Sequence, residues 1–299
     1  MSETATERRD AGRAARDGAV RRIWLCADDY GIAGAVSAAI RDLLARGRIN
    51  ATSVMVAAPS FRQSGATALI EAAATGGAIG LHVTLSAPFR PLSAGYKPLF
   101  ADAFPPLWAM AGLALVHALK PELLATEISS QCEAFRSAFG RAPDFVDGHQ
   151  HIHLFPQIRD ALFHVVKEAA PNAWVRQCGR PAAAPAPQNL DSKARVLDWL
   201  SRRFRKLAQL YEVRTNPGFA GAYDFRPDAD YAALFPAFLD GLPDGGVVMC
   251  HPGVVDPELE RLDPLTELRE REYAFFSDDA FPDLLVAHGV ALQRGPDRA

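Results

Sequence analysis

From Arg22 onward, short apolar runs alternate with helix-patterned stretches, and this order limits the fold more than any other feature. The run RIWLCA (22–27) predicts a buried strand, and GAVSAAIRDLLARG (34–47) an amphipathic helix closed by Gly47. ATSVMVAA (51–58) and GAIGLHVTL (77–85) predict further strands, with a helix over 61–75 between them. After a Pro-rich, apolar excursion from Ser86 to about Lys120, a helix over 121–140 leads to DFVDGHQHIH (144–153), which predicts an extended strand. A helix over 156–169, a strand AWVRQC (173–178), a Pro/Ala-rich loop (179–192) and a basic helix (193–211) follow. GGVVMCHPG (245–253) and GVALQ (289–293) predict the last two strands.

Strand then helix, repeated this often, requires a parallel sheet with helical cover. A closed (β/α) barrel and an open doubly wound sheet both satisfy the pattern. No glycine-rich phosphate fingerprint follows the first strand, and no long linker divides the chain. Polar residues gather at the ends of several different strands, which favours the barrel.

With 49% hydrophobic and 22% charged residues, the 299-residue chain has the makings of a sizeable core. A net charge of -3 gives no reason to expect nucleic acid as a partner. Four scattered cysteines, Cys26, Cys132, Cys178 and Cys250, read as reduced buried residues of a cytoplasmic protein. Residues 1–21 mix Arg with acids and lack an apolar signal core, so a disordered tail is expected there. The longest apolar run, Leu107 to Leu119, is too short to span a bilayer, and no integral membrane segment is expected. It reads as a covering helix or as an apolar lid near substrate.

The chemistry sits at strand ends. Asp28 and Asp29 follow the first strand, His82 ends IGLH, Asp147 and His149 end FVDGH, and His251 ends VVMCH. A parallel sheet turns all its strand C-termini to one side, so these residues converge on a single rim. One aspartate there is ordinary turn or capping chemistry; two repel each other unless a cation or a shared proton intervenes. A divalent ion held by one carboxylate and two neutral imidazoles is a hydrolytic arrangement. The second carboxylate then serves as base, and His251 as the acid for a leaving amine. An extended HxHxH places His149, His151 and His153 on one face, which leaves open which of them bind metal. His117, His164 and His288 read as structural.

The segments ADDYG, INATSVMV, IGLHVTL, FVDGHQHIHLFP and CHPG, in this order from Ile23 to Val255, resemble the YdjC-like carbohydrate deacetylases, which include chito-oligosaccharide deacetylases and hopanoid-associated relatives. The resemblance implies a single-domain distorted (β/α) barrel over 22–299 that removes an acetyl group from an N-acetylated sugar with one divalent metal ion. Carried onto matching positions, Asp29, His82 and His149 are the implied metal ligands, Asp28 the base and His251 the acid. Gly148 stands where many relatives carry Ser, and Gln150 where many carry His. Asp plus two His suits Mg or Zn first, then Co, Ni or Mn. An N-acetylated sugar is the expected small-molecule partner, and a homodimer is compatible with the sequence. The alternatives are another metallohydrolase, of amidohydrolase or phosphoesterase type, prompted by HxH, and an inactive carbohydrate-binding protein.

Overall fold

The structure is a computed structural model and describes residues 19–97, 102–181 and 192–295. Its strands are β1 (Arg21–Tyr30), β2 (Ala51–Val54), β3 (Ala78–Val83), β4 (Phe145–Gly148), β5 (Trp174–Val175), β6 (Phe219–Ala220), β7 (Val247–Cys250) and β8 (Val290–Leu292). The helices are α1 (Gly34–Ala45), α2 (Gln63–Ala72), α3 (Leu107–Leu115), α4 (Pro121–Phe139), α5 (Ile158–Ala169), α6 (Ser192–Leu210), α7 (Tyr231–Leu239), α8 (Pro257–Leu262), α9 (Glu267–Ser277) and α10 (Phe281–Ala287).

All described strand pairings are parallel, in the order β5-β4-β3-β2-β1-β7-β6, with β8 against the start of β1. Between the two ends of this curled sheet, Val175 of β5 forms a single parallel bridge to Thr215, just ahead of β6. The result is the expected barrel, distorted where β5 and β6 shrink to two residues each. Arg21, the last residue of the expected tail, pairs with Val290 and belongs to the sheet. The rest of the expected tail up to residue 18, and the Pro/Ala segment 182–191, lie outside the described residues.

The helices bury the faces their periodicity predicts. α1 buries Val36, Ile40, Leu43 and Leu44, and α4 buries Leu124, Ile128, Cys132, Phe135 and Phe139. Each such Leu, Ile or Phe contributes about 1.5–3 kcal/mol by leaving water. Deep in the sheet the Phe145 ring stacks on Trp174 at 4.6 Å and covers Gly80, where a Cβ would come within 2.6 Å of three atoms of that ring. α3 is the expected cover: Met110 and Ala114 are buried, while Trp108 and, just past its end, Val116 remain 76% and 73% exposed. Among the described residues, no helix is long and apolar enough to cross a membrane.

Two expectations fail at the rim. β1 runs on through Asp28 and Asp29 to Tyr30, and its register with β2 slips between Ala27 and Tyr30. Asp29 occupies the left-handed region at φ 68°, which a short polar side chain tolerates. β4 stops at Gly148, and HQHIHL forms a 3-10 turn (His149–Leu154) with Gln150 and His151 left-handed at φ 55° and 57°. The extended HxHxH face therefore does not exist.

Candidate metal centre and its surroundings

The slip in β1 sends its two carboxylates to different partners. Asp29 Oδ1 lies 2.9 Å from His149 Nδ1 and 3.2 Å from His82 Nε2, all three side chains being buried. One ligand atom from each of these residues falls within 4.8 Å of the others. The sheet brings together the three residues proposed as ligands, from β1, β3 and the turn after β4. Two imidazole nitrogens and one carboxylate oxygen, converging with their remaining lone pairs unclaimed by backbone, fit a divalent ion.

Behind this trio, His82 Nδ1 donates to Asp147 Oδ1 at 2.6 Å, which fixes the ring so that Nε2 faces Asp29. Burial opposes the imidazolium of His82, yet the charge and hydrogen bond of Asp147 win and raise its pKa to about 10 in the metal-free chain. Burial also works against the Asp29 carboxylate, but Arg269 and His149 hold its pKa well below the ordinary carboxylate range.

Asp28 is held apart from the trio. Arg176 grips both its oxygens, Nη1 to Oδ2 and Nη2 to Oδ1 at 2.7 Å each, and reaches Asp147 Oδ2 at 2.6 Å. Ser53 Oγ donates to Asp28 Oδ1 at 3.2 Å. Burial raises the Asp28 pKa, but the Arg176 charge outweighs it and keeps the carboxylate ionised. The Cys26, Cys178 and Cys250 thiols are all pushed up by burial and stay protonated.

The other histidines of HQHIH diverge. His151 Nδ1 lies 3.5 Å from Cys178 Sγ, and its ring meets Phe219 edge-on. His153 Nε2 donates to the Arg176 carbonyl at 2.8 Å, and burial lowers its pKa to about 4, so the ring is neutral. A Cβ on residue 148 would stand 2.9 Å from His153 Nδ1, which explains Gly148. His117 and His164 are exposed, and His288 Nδ1 meets the Leu284 carbonyl.

His251, at the end of β7, lines the same cavity of about 350 Å³ as Asp28, Asp29, His82 and His149. Leu107, Phe225, Met249 and Leu265 supply apolar wall. Burial lowers the His251 pKa to about 4, while Asp29 and Asp28 favour its cation and Arg269 opposes it.

Sequence reasoning missed Arg176, Arg269 and Glu272, and it gave Asp147 a place on the rim without a role. An Arg at the end of the apolar run AWV was a usable signal, since a buried guanidinium needs a buried acid. Arg269 and Glu272 lie on α9, for which no strand-end logic existed.

A curated relative, the chitooligosaccharide deacetylase of Escherichia fergusonii, is 27% identical over 263 residues, 82% of this chain and 91% of its own length. A solved structure from Enterococcus faecalis V583, provisionally assigned to cellobiose-phosphate cleavage, superposes with a TM-score of 0.70 at 19% identity. That match covers 92% of this chain and 97% of the other, and it speaks to fold alone. The family model for the YdjC-like protein matches residues 22–287, and the chain therefore belongs to that family.

Proposed function

We propose that this chain is a metal-dependent hydrolase of linear amides that removes the N-acetyl group from an amino sugar or an acetylated oligosaccharide. The observation that carries the reading is the separation of two adjacent aspartates, one into an Asp-His-His donor set and the other onto an arginine beside it. The E. fergusonii relative's name supports a sugar acetamide as the bond cleaved.

Asp29, His82 and His149 would hold the ion, and two imidazoles in the set favour Zn²⁺ over Mg²⁺. When bound, a divalent ion lowers the pKa of water and polarises a carbonyl oxygen. Asp28 takes the proton of the attacking water on Oδ2: Oδ1 already accepts from Arg176 and Ser53, but Oδ2 accepts from Arg176 alone and keeps a second lone pair. His251 delivers a proton to the leaving nitrogen. Its ring is neutral in the free protein, so it must first gain that proton, and the nearby charges of Asp29 and Asp28 favour this step. The apolar wall of Leu107, Phe225 and Leu265 limits water around the reacting carbonyl.

The two-metal alternative loses support from the divergence of His151 and His153. A second acid group, Cys26, Asp28 and Asp147, is already occupied by the Arg176 guanidinium. The test is metal content of the purified protein together with acetate release from free, polymeric and lipid-linked N-acetyl sugars, for the parent and His149→Ala. One metal per chain, lost with activity in the variant, is expected. No release by metal-loaded parent across the panel would leave the binding-protein reading.

A further inference from the structure

The least economical feature of the molecule is a pair of buried ionisable side chains on α9. Arg269 is 0% exposed and Glu272 1%, one helical turn apart and so on one face. Burying an ion costs several kcal/mol, and a well-packed apolar pair in the same space is commonly as stable or more so. Stability alone does not account for them.

Their contacts do. Arg269 Nη2 meets Asp29 Oδ2 at 2.6 Å and Asp263 Oδ2 at 2.9 Å, while its Nε donates to the Leu265 carbonyl. The Asp29 oxygen it occupies is the one turned away from the imidazoles; Oδ1 is left to His82 and His149. Glu272 Oε2 accepts the backbone N–H of His251 at 2.5 Å, and its Oε1 accepts the Tyr223 hydroxyl at 2.7 Å. The backbone carbonyl of Arg269 also receives the N–H of Gly253, two residues beyond His251. The His251 ring has no comparable anchor on its buried side, since Nδ1 has no hydrogen-bond partner among the described residues. The histidine is thus set in place through its main chain.

We propose that Arg269 and Glu272 are a pair of positioning residues through which α9 sets the two sides of the site. Arg269 restricts Asp29 to offering a single oxygen to the ion, and Glu272 fixes the His251 loop across the cavity from it. This rests on the hydrolase reading above. A carboxylate free to turn or to chelate with both oxygens would misplace the ion against Asp28. A His251 loop free to move would spoil proton delivery without touching the ligands.

The two halves separate experimentally. With Zn²⁺ alone as the probe, Arg269→Met weakens affinity about tenfold to a hundredfold, the range for residues that orient ligands. Arg269→Lys keeps a charge but loses the Nε–H that anchors the guanidinium to the Leu265 carbonyl, and is expected to recover only part of this. Glu272→Leu leaves Zn²⁺ affinity as in the parent and lowers kcat at least tenfold with little change in KM; Glu272→Gln, which retains an acceptor, stays near the parent. Independently of turnover, the His251 ring signal in histidine-labelled NMR spectra, assigned by its loss in His251→Gln, shifts or broadens in Glu272→Leu. If that variant does not fold, Tyr223→Phe, which removes one anchor of Glu272, is expected to broaden the same signal. Parent-like Zn²⁺ affinity in Arg269→Met overturns the first half, and an unchanged His251 signal overturns the second. Absence of acetate release by the parent would instead overturn the hydrolase reading, while the Zn²⁺ and NMR measurements still judge the pair.

Discussion

Glu272 makes a stability prediction that can be worked through in numbers. Burial raises its pKa from 4.5 to about 7, against the lowering effect of the His251 N–H, the Tyr223 hydroxyl and the Arg269 charge; the Asp28 charge adds to the rise. The other groups facing it do not change charge between pH 5 and 8. Tyr223, Tyr231 and Cys250 are all raised by burial, His251 is lowered to about 4, and Arg269 is raised despite its burial. Between 4.5 and about 7 the folded chain holds a proton on Glu272 that the unfolded chain has released. The group's contribution to stability is therefore complete below pH 4.5 and is lost as pH rises through 7. At roughly 1.4 kcal/mol per pH unit the gap is worth about 3 kcal/mol, or roughly 6 °C in Tm for a domain of this size. Glu272→Gln removes the ionisation and with it this slope. Urea unfolding of the parent and variant at pH 5, 6, 7 and 8, with chelator present, should show the variant gaining on the parent as pH rises, by about 2.5 kcal/mol over this window. A difference that stays constant within about 0.5 kcal/mol would refute the account of Glu272 as a carboxyl made costly by burial.

Asp28→Asn should lower kcat by about 10²–10⁴ while metal content by elemental analysis stays at the parent level, because the donor set is separate. It should also cost about 3 kcal/mol in urea unfolding, since Arg176 keeps only Asp147 as an ionic partner. His149→Ala should lose metal and activity together, whereas His153→Ala should keep its metal and lose about 2–3 kcal/mol of stability, having surrendered the Arg176 carbonyl contact and its packing on Phe204. Gly80→Ala should destabilise by about 1–3 kcal/mol through collision with the Phe145 ring, and Phe145→Leu should recover part of that loss in the double variant.

The barrel was legible because its signal is repetitive. Strand and helix periods alternate along the chain, and a parallel sheet gives all strand ends one address, so Asp29, His82, His149 and His251 could be placed on a common rim from order alone. What failed was local backbone geometry. HQHIH has the alternation of a strand, but Gln150 and His151 turn left-handed, and the tertiary partners of the three rings decide the matter: Asp29 for His149, Cys178 for His151, the Arg176 carbonyl for His153. The arginines were beyond sequence reasoning for another reason. Arg176 is 148 residues from Asp28, and Arg269 is 240 from Asp29, so no spacing rule connects them.

Those same arginines explain how a chain can keep two buried carboxylates side by side. Asp28, Asp29 and Asp147 are buried together, and Arg176 and Arg269 meet them, with Arg269 also serving Asp263. The two guanidiniums treat the adjacent aspartates differently: Arg176 takes both oxygens of Asp28 and also reaches Asp147, whereas Arg269 takes only the outer oxygen of Asp29 and shares the same nitrogen with Asp263. Negative charge is left on Asp29 Oδ1, which neither guanidinium meets and on which His82 and His149 converge. In the metal-free chain His82 balances it as an imidazolium; a cation bound by the same three donors balances it with both imidazoles neutral. Had Arg269 taken both oxygens of Asp29, the excess charge would be spread away from the imidazoles and the reason for a cation at this spot would disappear. The asymmetry between the two arginine contacts, two oxygens for one aspartate and one for its neighbour, is thus what would divide the pair into a base and a ligand in the proposed reaction.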